Sequence, residues 1–239
     1  MNRVLRHPKN HQKLFLGDNV KNKFQIMRTK DSVFRQKNLP AWIVVVFQVC
    51  AYIFVALSLR LLYRAQRFLP KNIGTLSRGS LLIANHQSLL DPFIVTANLP
   101  ACVFFRLVPI YFPVHHFWIS KRVFRNILPC LGCYDVGDTR KEKMLALFYT
   151  HQLLTQKKTV FLFPEGEISK EEIKEFKRGI EYFIQVAVNV VFVRMEGFHS
   201  ASMRTKRKLF YSEVEVLKGR AFDAVSLREY VEGLKKGMN

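Results

Sequence analysis

The sequence predicts an α/β layered fold, a mixed sheet flanked by helices, with an N-terminal hydrophobic membrane-associated helix or hairpin. Three observations predict it. Short apolar runs of strand character, Ser80–Ala84, Thr159–Phe163 and Val190–Val193, alternate with helical periodicity such as that of Lys141–Gln156. Two of these runs end on tight polar turns, NHQSLLDP after Ala84 and PEGE after Phe163, where open α/β sheets carry their chemistry. Ahead of them, Leu39–Leu59 runs for 21 residues without a charge.

Residues 1–38 hold ten Lys and Arg against Asp18 and Asp31, are weakly periodic, and read as a basic flexible arm. Residues 39–70 form the membrane-associated element, closed by Pro70. As a helix its uncharged stretch reaches about 31 Å, the thickness of a bilayer's hydrocarbon core. It begins too late and lacks the small-residue cleavage site of a signal peptide. Trp42 and Tyr63 suit interfacial positions at its ends. A buried core helix is the competing reading of the same stretch. Arg28, Lys30, Arg35 and Lys37 precede it and Arg60, Arg64 and Arg67 follow, so the positive-inside rule assigns no orientation. Spanning, and lying in one leaflet with cations snorkelling to phosphates, both fit that pattern.

Residues 71–239 form the third unit, the α/β domain. Gly74–Gly79 turns into the first buried strand, and Asp91-Pro92 suits a helix start. An aromatic stretch follows through Phe104, Phe105, Tyr111, Phe112, Phe117 and Trp118. Lys141–Gln156 reads as an amphipathic helix with Met144, Leu145, Phe148 and Leu153 at helical spacing. Lys170–Val188 reads as helix, 207–217 as a half-exposed alternating strand, and a last helix begins near Ser226.

The net charge of +20 comes with 49% hydrophobic residues and 21 Phe, which excludes a disordered polycation. Such a chain favours a polyanionic surface, anionic lipid or nucleic acid. Its aromatics cluster with aliphatics rather than alternating with cations, so anionic membrane lipids are the expected partner and nucleic acid is not. Four cysteines in a chain this long suggest thiols in a reducing compartment rather than a disulfide framework. Cys130 and Cys133 supply two of the four ligands that structural zinc needs, and the spacing of His115 and His116 does not demand the rest; no metal is expected.

His86 and Asp91 lie five positions apart, so an imidazole can act as a base and a carboxylate as its orienting partner. Alone the pair proves little, since Asp91 also fits a helix start and Asn85-His86 a turn. Its weight comes from Phe163-Pro164-Glu165-Gly166 downstream. In order and context the two pieces resemble the glycerolipid (1-acylglycerol-3-phosphate) acyltransferase family over roughly residues 75–200. The resemblance implies His86 as base and Asp91 as its orienting partner. It places Glu165 and Gly166 beside the acceptor's polar head, with Lys177 and Arg178 in a basic stretch able to meet a phosphate. It also implies a third motif, loosely matched by Lys121, Pro129, Gly132, Val136 and Arg140.

Two departures stand out. Glu167-Ile168-Ser169 occupies the family's Thr-Arg-Ser, and Val190-Val191-Phe192 lacks a proline. The first removes an arginine expected at the acceptor's phosphate. The implied reaction moves a fatty acyl chain from acyl-CoA or acyl-carrier protein, as co-substrate, to a lysolipid hydroxyl in phospholipid biosynthesis. It needs no cofactor and takes place at a membrane, with the active site on the cytoplasmic face. The alternatives are a non-phosphate acceptor such as a lyso-aminolipid, and a non-enzymatic basic protein that binds membrane or nucleic acid.

Overall fold

The computed structural model describes residues 39–62, 65–169, 172–177, 179–199, 207–215 and 224–234. The basic arm 1–38, Tyr63, Arg64, Lys170 and Arg178 lie outside the described residues.

Among the described residues, seven strands form one mixed sheet: β1 (Gln66–Phe68), β2 (Leu81–Ala84), β3 (Ile110–Val114), β4 (Cys133–Asp135), β5 (Thr159–Leu162), β6 (Val190–Glu196) and β7 (Lys208–Tyr211). Their order is β1-β7-β6-β2-β5-β3-β4, and every pairing is parallel except β6 with β7. The central strands β2 and β5 are buried on both faces, which is why they read as unbroken apolar runs. Alternate residues feed two cores. Leu82, Ala84, Phe161, Val191 and Val193 face one layer, and Leu81, Ile83, Val160, Leu162 and Phe192 face the other.

The first layer holds α1 (Ala41–Leu62), α2 (Asp91–Ala97), α3 (Ala101–Leu107), α4 (His116–Ser120) and α5 (Phe124–Cys130). The second holds α6 (Arg140–Thr155), α7 (Ile180–Val186) and α8 (Ala224–Gly233). Helix α6 starts on a capping box: Thr139 accepts from the Glu142 amide while Glu142 accepts from that of Thr139.

Helix α1 is long and apolar enough, by length and composition, to cross a membrane. One stripe of it docks on the domain through Val44, Gln48, Tyr52 and Leu59, while Trp42, Phe47, Phe54 and Leu61 point outward. Gln48 is buried, and its amide serves both neighbours. It donates to the carbonyls of Ile110 and Leu131 and accepts from the Ile110 amide at 3.0 Å. Gly132, at φ +83°, leaves the room for this; a Cβ there would meet the Ile110 carbonyl and come within 2.7 Å of Gln48 Nε2. Tyr52 adds a hydrogen bond to the Leu99 carbonyl and stacks on Phe104 at 4.2 Å.

Four sequence expectations need correction. The element ending at Pro70 is not helical throughout, because Gln66–Phe68 pairs with β7 as a strand. Among the described residues of the expected Lys170–Val188 helix, Ile180–Val186 alone is helical. Upstream, the amides of Ser169, Lys174 and Lys177 are committed to His86, Glu165 and Pro164, and Gly179 sits at φ +110°. A helical ladder needs those same amides. Strand β7 does not alternate: Leu209, Phe210 and Tyr211 are all buried, because Leu209 and Tyr211 enter one core while Phe210 stacks on Phe68 of β1. In α6 the buried positions are Ala146, Thr150, Leu153 and Leu154, and Met144 is exposed.

Candidate active site

Strand β2 ends at Ala84, and the next four residues are polar with a hydrogen-bonding task each. Asn85 is buried and grips the backbone of Met195 twice, donating to its carbonyl at 3.1 Å and accepting from its amide at 2.7 Å. Gln87 accepts from the Phe198 amide at 3.0 Å. The turn is thereby sewn to the end of β6. Between them, His86 Nδ1 lies 2.9 Å from Oδ2 of Asp91, a fully buried residue. Asp91 also accepts from the amides of Gln87 and Ser88 and from the Ser88 hydroxyl. Its carboxylate therefore faces the turn that precedes α2 rather than the amides of that helix. With acceptor oxygens gathered at Nδ1, the proton belongs there, leaving the lone pair on Nε2. Among the described residues no hydrogen bond engages Nε2.

Strand β5 delivers the second turn beside the first. Phe163 stacks on the His86 imidazole, centroids 4.0 Å apart and planes 14° off parallel. Glu165, only 2% exposed, divides its carboxylate between two chain segments. Oε1 accepts from the His86 amide at 2.8 Å, and Oε2 from the Lys174 amide at 2.9 Å. Burial pushes its carboxyl above the usual carboxylate range, opposed by those amides of Lys174 and His86. The Ser169 amide donates to the His86 carbonyl at 2.7 Å. Thus the base is held on one side by its own turn and on the other by the Phe-Pro-Glu-Gly turn.

Gly166 adopts φ +70°, and the Lys177 side chain crosses the space where a Cβ would stand, with Cε 2.9 Å from that position. The exposed Glu167 pairs with Lys174 at 3.0 Å, which holds its carboxyl below the usual range. Rings lead inward from the base: Phe163 touches Phe161, Phe161 touches Phe112, and Phe112 touches Phe93. Phe93 and Phe112 line a small, largely apolar cavity with Tyr52, Thr96, Phe104 and Ile110.

A family model described as Acyltransferase matches residues 61–196, more than half of the chain and both motifs. The chain belongs to the acyltransferase family. This acyltransferase-family chain shares its fold with the crystal structure of the 1-acyl-sn-glycerophosphate (LPA) acyltransferase PlsC from Thermotoga maritima. The likeness has a TM-score of 0.56 at 20% identity and covers 91% of this chain and 88% of that one. No curated protein matches the chain significantly.

Of the residues singled out from sequence, the acyltransferase fold brings His86, Asp91, Glu165, Gly166 and Lys177 together. Lys121 follows α4, its Nζ 4.4 Å above the ring of Phe117. Among the described residues no hydrogen bond or ion pair joins it to the two turns. Sequence reasoning gave no site role to Gln87, Ser88 or Phe163, and read Asn85 only as shaping a turn. One signal was available: a run of polar side chains directly after a fully buried strand must find partners in the protein.

Proposed function

We propose that the protein is an O-acyltransferase that moves a fatty acyl chain from an acyl-CoA or acyl-carrier-protein thioester to a lysolipid hydroxyl at a membrane. The observation that carries the reading is the Asp91–His86 pair, with Nε2 unengaged among the described residues and both motif turns locked around it. Nε2 takes the proton of the acceptor hydroxyl as its oxygen attacks the thioester carbonyl. The tetrahedral intermediate collapses by breaking the carbon–sulfur bond, and the imidazolium returns the proton to the departing thiolate. An ester and a thiol result, with no covalent enzyme intermediate and no cofactor. Asp91 holds the ring and stabilises the imidazolium, the part a carboxylate plays in a triad.

Lysophosphatidic acid is the acceptor this reading favours, by analogy with the printed activity of the Thermotoga protein. Lys177, folded over Gly166, supplies a cation in place of the family's arginine, and Arg178 is the further cation of the basic stretch that the resemblance implies. The Glu167–Lys174 pair reduces the repulsion that a carboxylate at that turn would exert on a phosphate. A second reading, a lyso-aminolipid acceptor without phosphate, draws support from Glu167-Ile168 where the family has Thr-Arg. Helix α1, apolar on its outward face and docked lengthwise on the domain, supports attachment to a membrane, and this reading puts the active site on the cytoplasmic face, where thioester donors are supplied.

The test is acyl transfer by the purified, detergent-solubilised protein against a panel of lysolipids, following thiol release and lipid product together. His86→Ala is expected to lose about 10²–10⁴-fold in rate while keeping its unfolding profile. Equal rates for variant and wild type would remove the base role. Transfer confined to an amine-bearing lysolipid would select the second acceptor.

A further inference from the structure

Helices α4 and α5 form an outgrowth that the chemistry of acyl transfer does not require. All residues from Lys121 to Ile127 are exposed, among them Val123 at 68% and Ile127 at 45%. Phe117, half exposed, and Trp118 and Phe124 make a cluster of edge-on rings, 5.2 and 5.7 Å between centroids. Lys121, Arg122 and Arg125 are interleaved with these apolar groups, and no Asp or Glu occurs from Phe117 to Tyr134. Among the described residues no salt bridge engages any of the three cations. The C-terminal end of α5 is fixed: Leu128 and Leu131 pack on the core, and the Leu131 carbonyl receives the Gln48 amide of α1. The outgrowth therefore adjoins the helix whose outward face is apolar.

We infer that α4–α5 is a second membrane-docking element that seats its rings in the headgroup region of an anionic bilayer, with Arg122, Arg125 and Lys121 on lipid phosphates. The inference rests on the membrane reading of α1. Apolar groups alternating with unpaired cations match an interface with both an apolar layer and a negative surface. A polynucleotide would use the cations but leave Val123 and Ile127 without a role. The segment draws the cavity side of the domain against the leaflet that holds both lipids of the reaction.

The two tryptophans, Trp42 and Trp118, permit a direct test. In full-length Trp42→Phe protein, Trp118 is the sole indole reporter. The protein is mixed with vesicles of phosphatidylcholine alone or with phosphatidylglycerol added, each with and without brominated acyl chains, and flotation is followed in parallel. Trp118 emission is expected to be quenched by brominated lipid on the anionic vesicles and much less on the neutral ones. Each cation near an anionic surface favours docking by roughly fivefold, so Arg122→Gln with Arg125→Gln should shift the docked-to-undocked ratio by about 25-fold. That double variant should still float, because α1 is untouched. Flotation with Trp118 unquenched on both vesicle types overturns the inference while leaving α1 as anchor, as does equal quenching on neutral and anionic vesicles. Absence of flotation altogether removes the membrane reading of α1 and this inference with it. Protection of Trp118 by added polynucleotide without lipid quenching would make nucleic acid the partner instead.

Discussion

Glu165 is the residue on which the two signatures meet. Its two oxygens each accept one backbone amide, so a side chain with one acceptor and one donor cannot replace it. Glu165→Gln turns an NH₂ group toward an N–H in a buried setting, at a cost of roughly 1–3 kcal/mol. Thermal unfolding should fall by several degrees and the transfer rate should drop with it, because the His86 backbone loses its brace. Unchanged stability and rate would mean that the carboxylate has no such task. Further along the sheet, His116 Nδ1 sits 2.7 Å from Asp135, and this hydrogen bond, aided by the charges of Asp135, Asp138 and Glu142, raises the imidazole above its ordinary value against a smaller lowering by burial. A raised histidine contributes stability that is complete below its unfolded pKa of about 6.5 and is lost as pH rises through the folded value. Proton NMR of the imidazole should show His116 titrating above the ordinary range, and Asp135→Asn should bring it down.

At the scale of elements, the first helix is bound to the domain by a polar peg. Gln48 satisfies the Ile110 amide and two carbonyls, and among the described residues the other side-chain hydrogen bond from α1 to the domain is that of the Tyr52 hydroxyl to the Leu99 carbonyl. Gln48→Leu keeps the bulk and abandons all three groups, each worth about 1–3 kcal/mol when buried unpaired. The detergent-solubilised variant should unfold at clearly lower temperature than wild type; equal midpoints would show that the peg is dispensable. This corner was illegible in the sequence. Gln48 interrupts an otherwise apolar run, and nothing in its neighbours says that its partners lie 62 and 83 positions away. The same limit explains the segment around Lys174. Its composition favours helix, but the Lys174 amide is claimed by a carboxylate nine residues earlier and the Lys177 amide by the Pro164 carbonyl.

For the molecule as a whole, what periodicity and turn chemistry govern could be read in advance. Four-residue apolar runs gave β2 and β5, and the polar turns behind them gave the place of His86, Asp91, Glu165 and Gly166. The sheet order could not be read, since it puts β2 between β5 and β6 and slots β7 between β6 and β1 through contacts distant in sequence. Nor could the bracing of the base, where Asn85, Gln87 and Glu165 reach Met195, Phe198 and His86 across 79 to 111 positions. The docked helix also carries a consequence for synthesis. It leaves the ribosome before the residues it docks on: at 5–20 residues per second the acceptor at Ile110, 62 positions later, follows after roughly 3–12 s. Until then Gln48 has met neither Ile110 nor Leu131. The nascent chain thus presents a long apolar helix well before the domain that will clasp it exists.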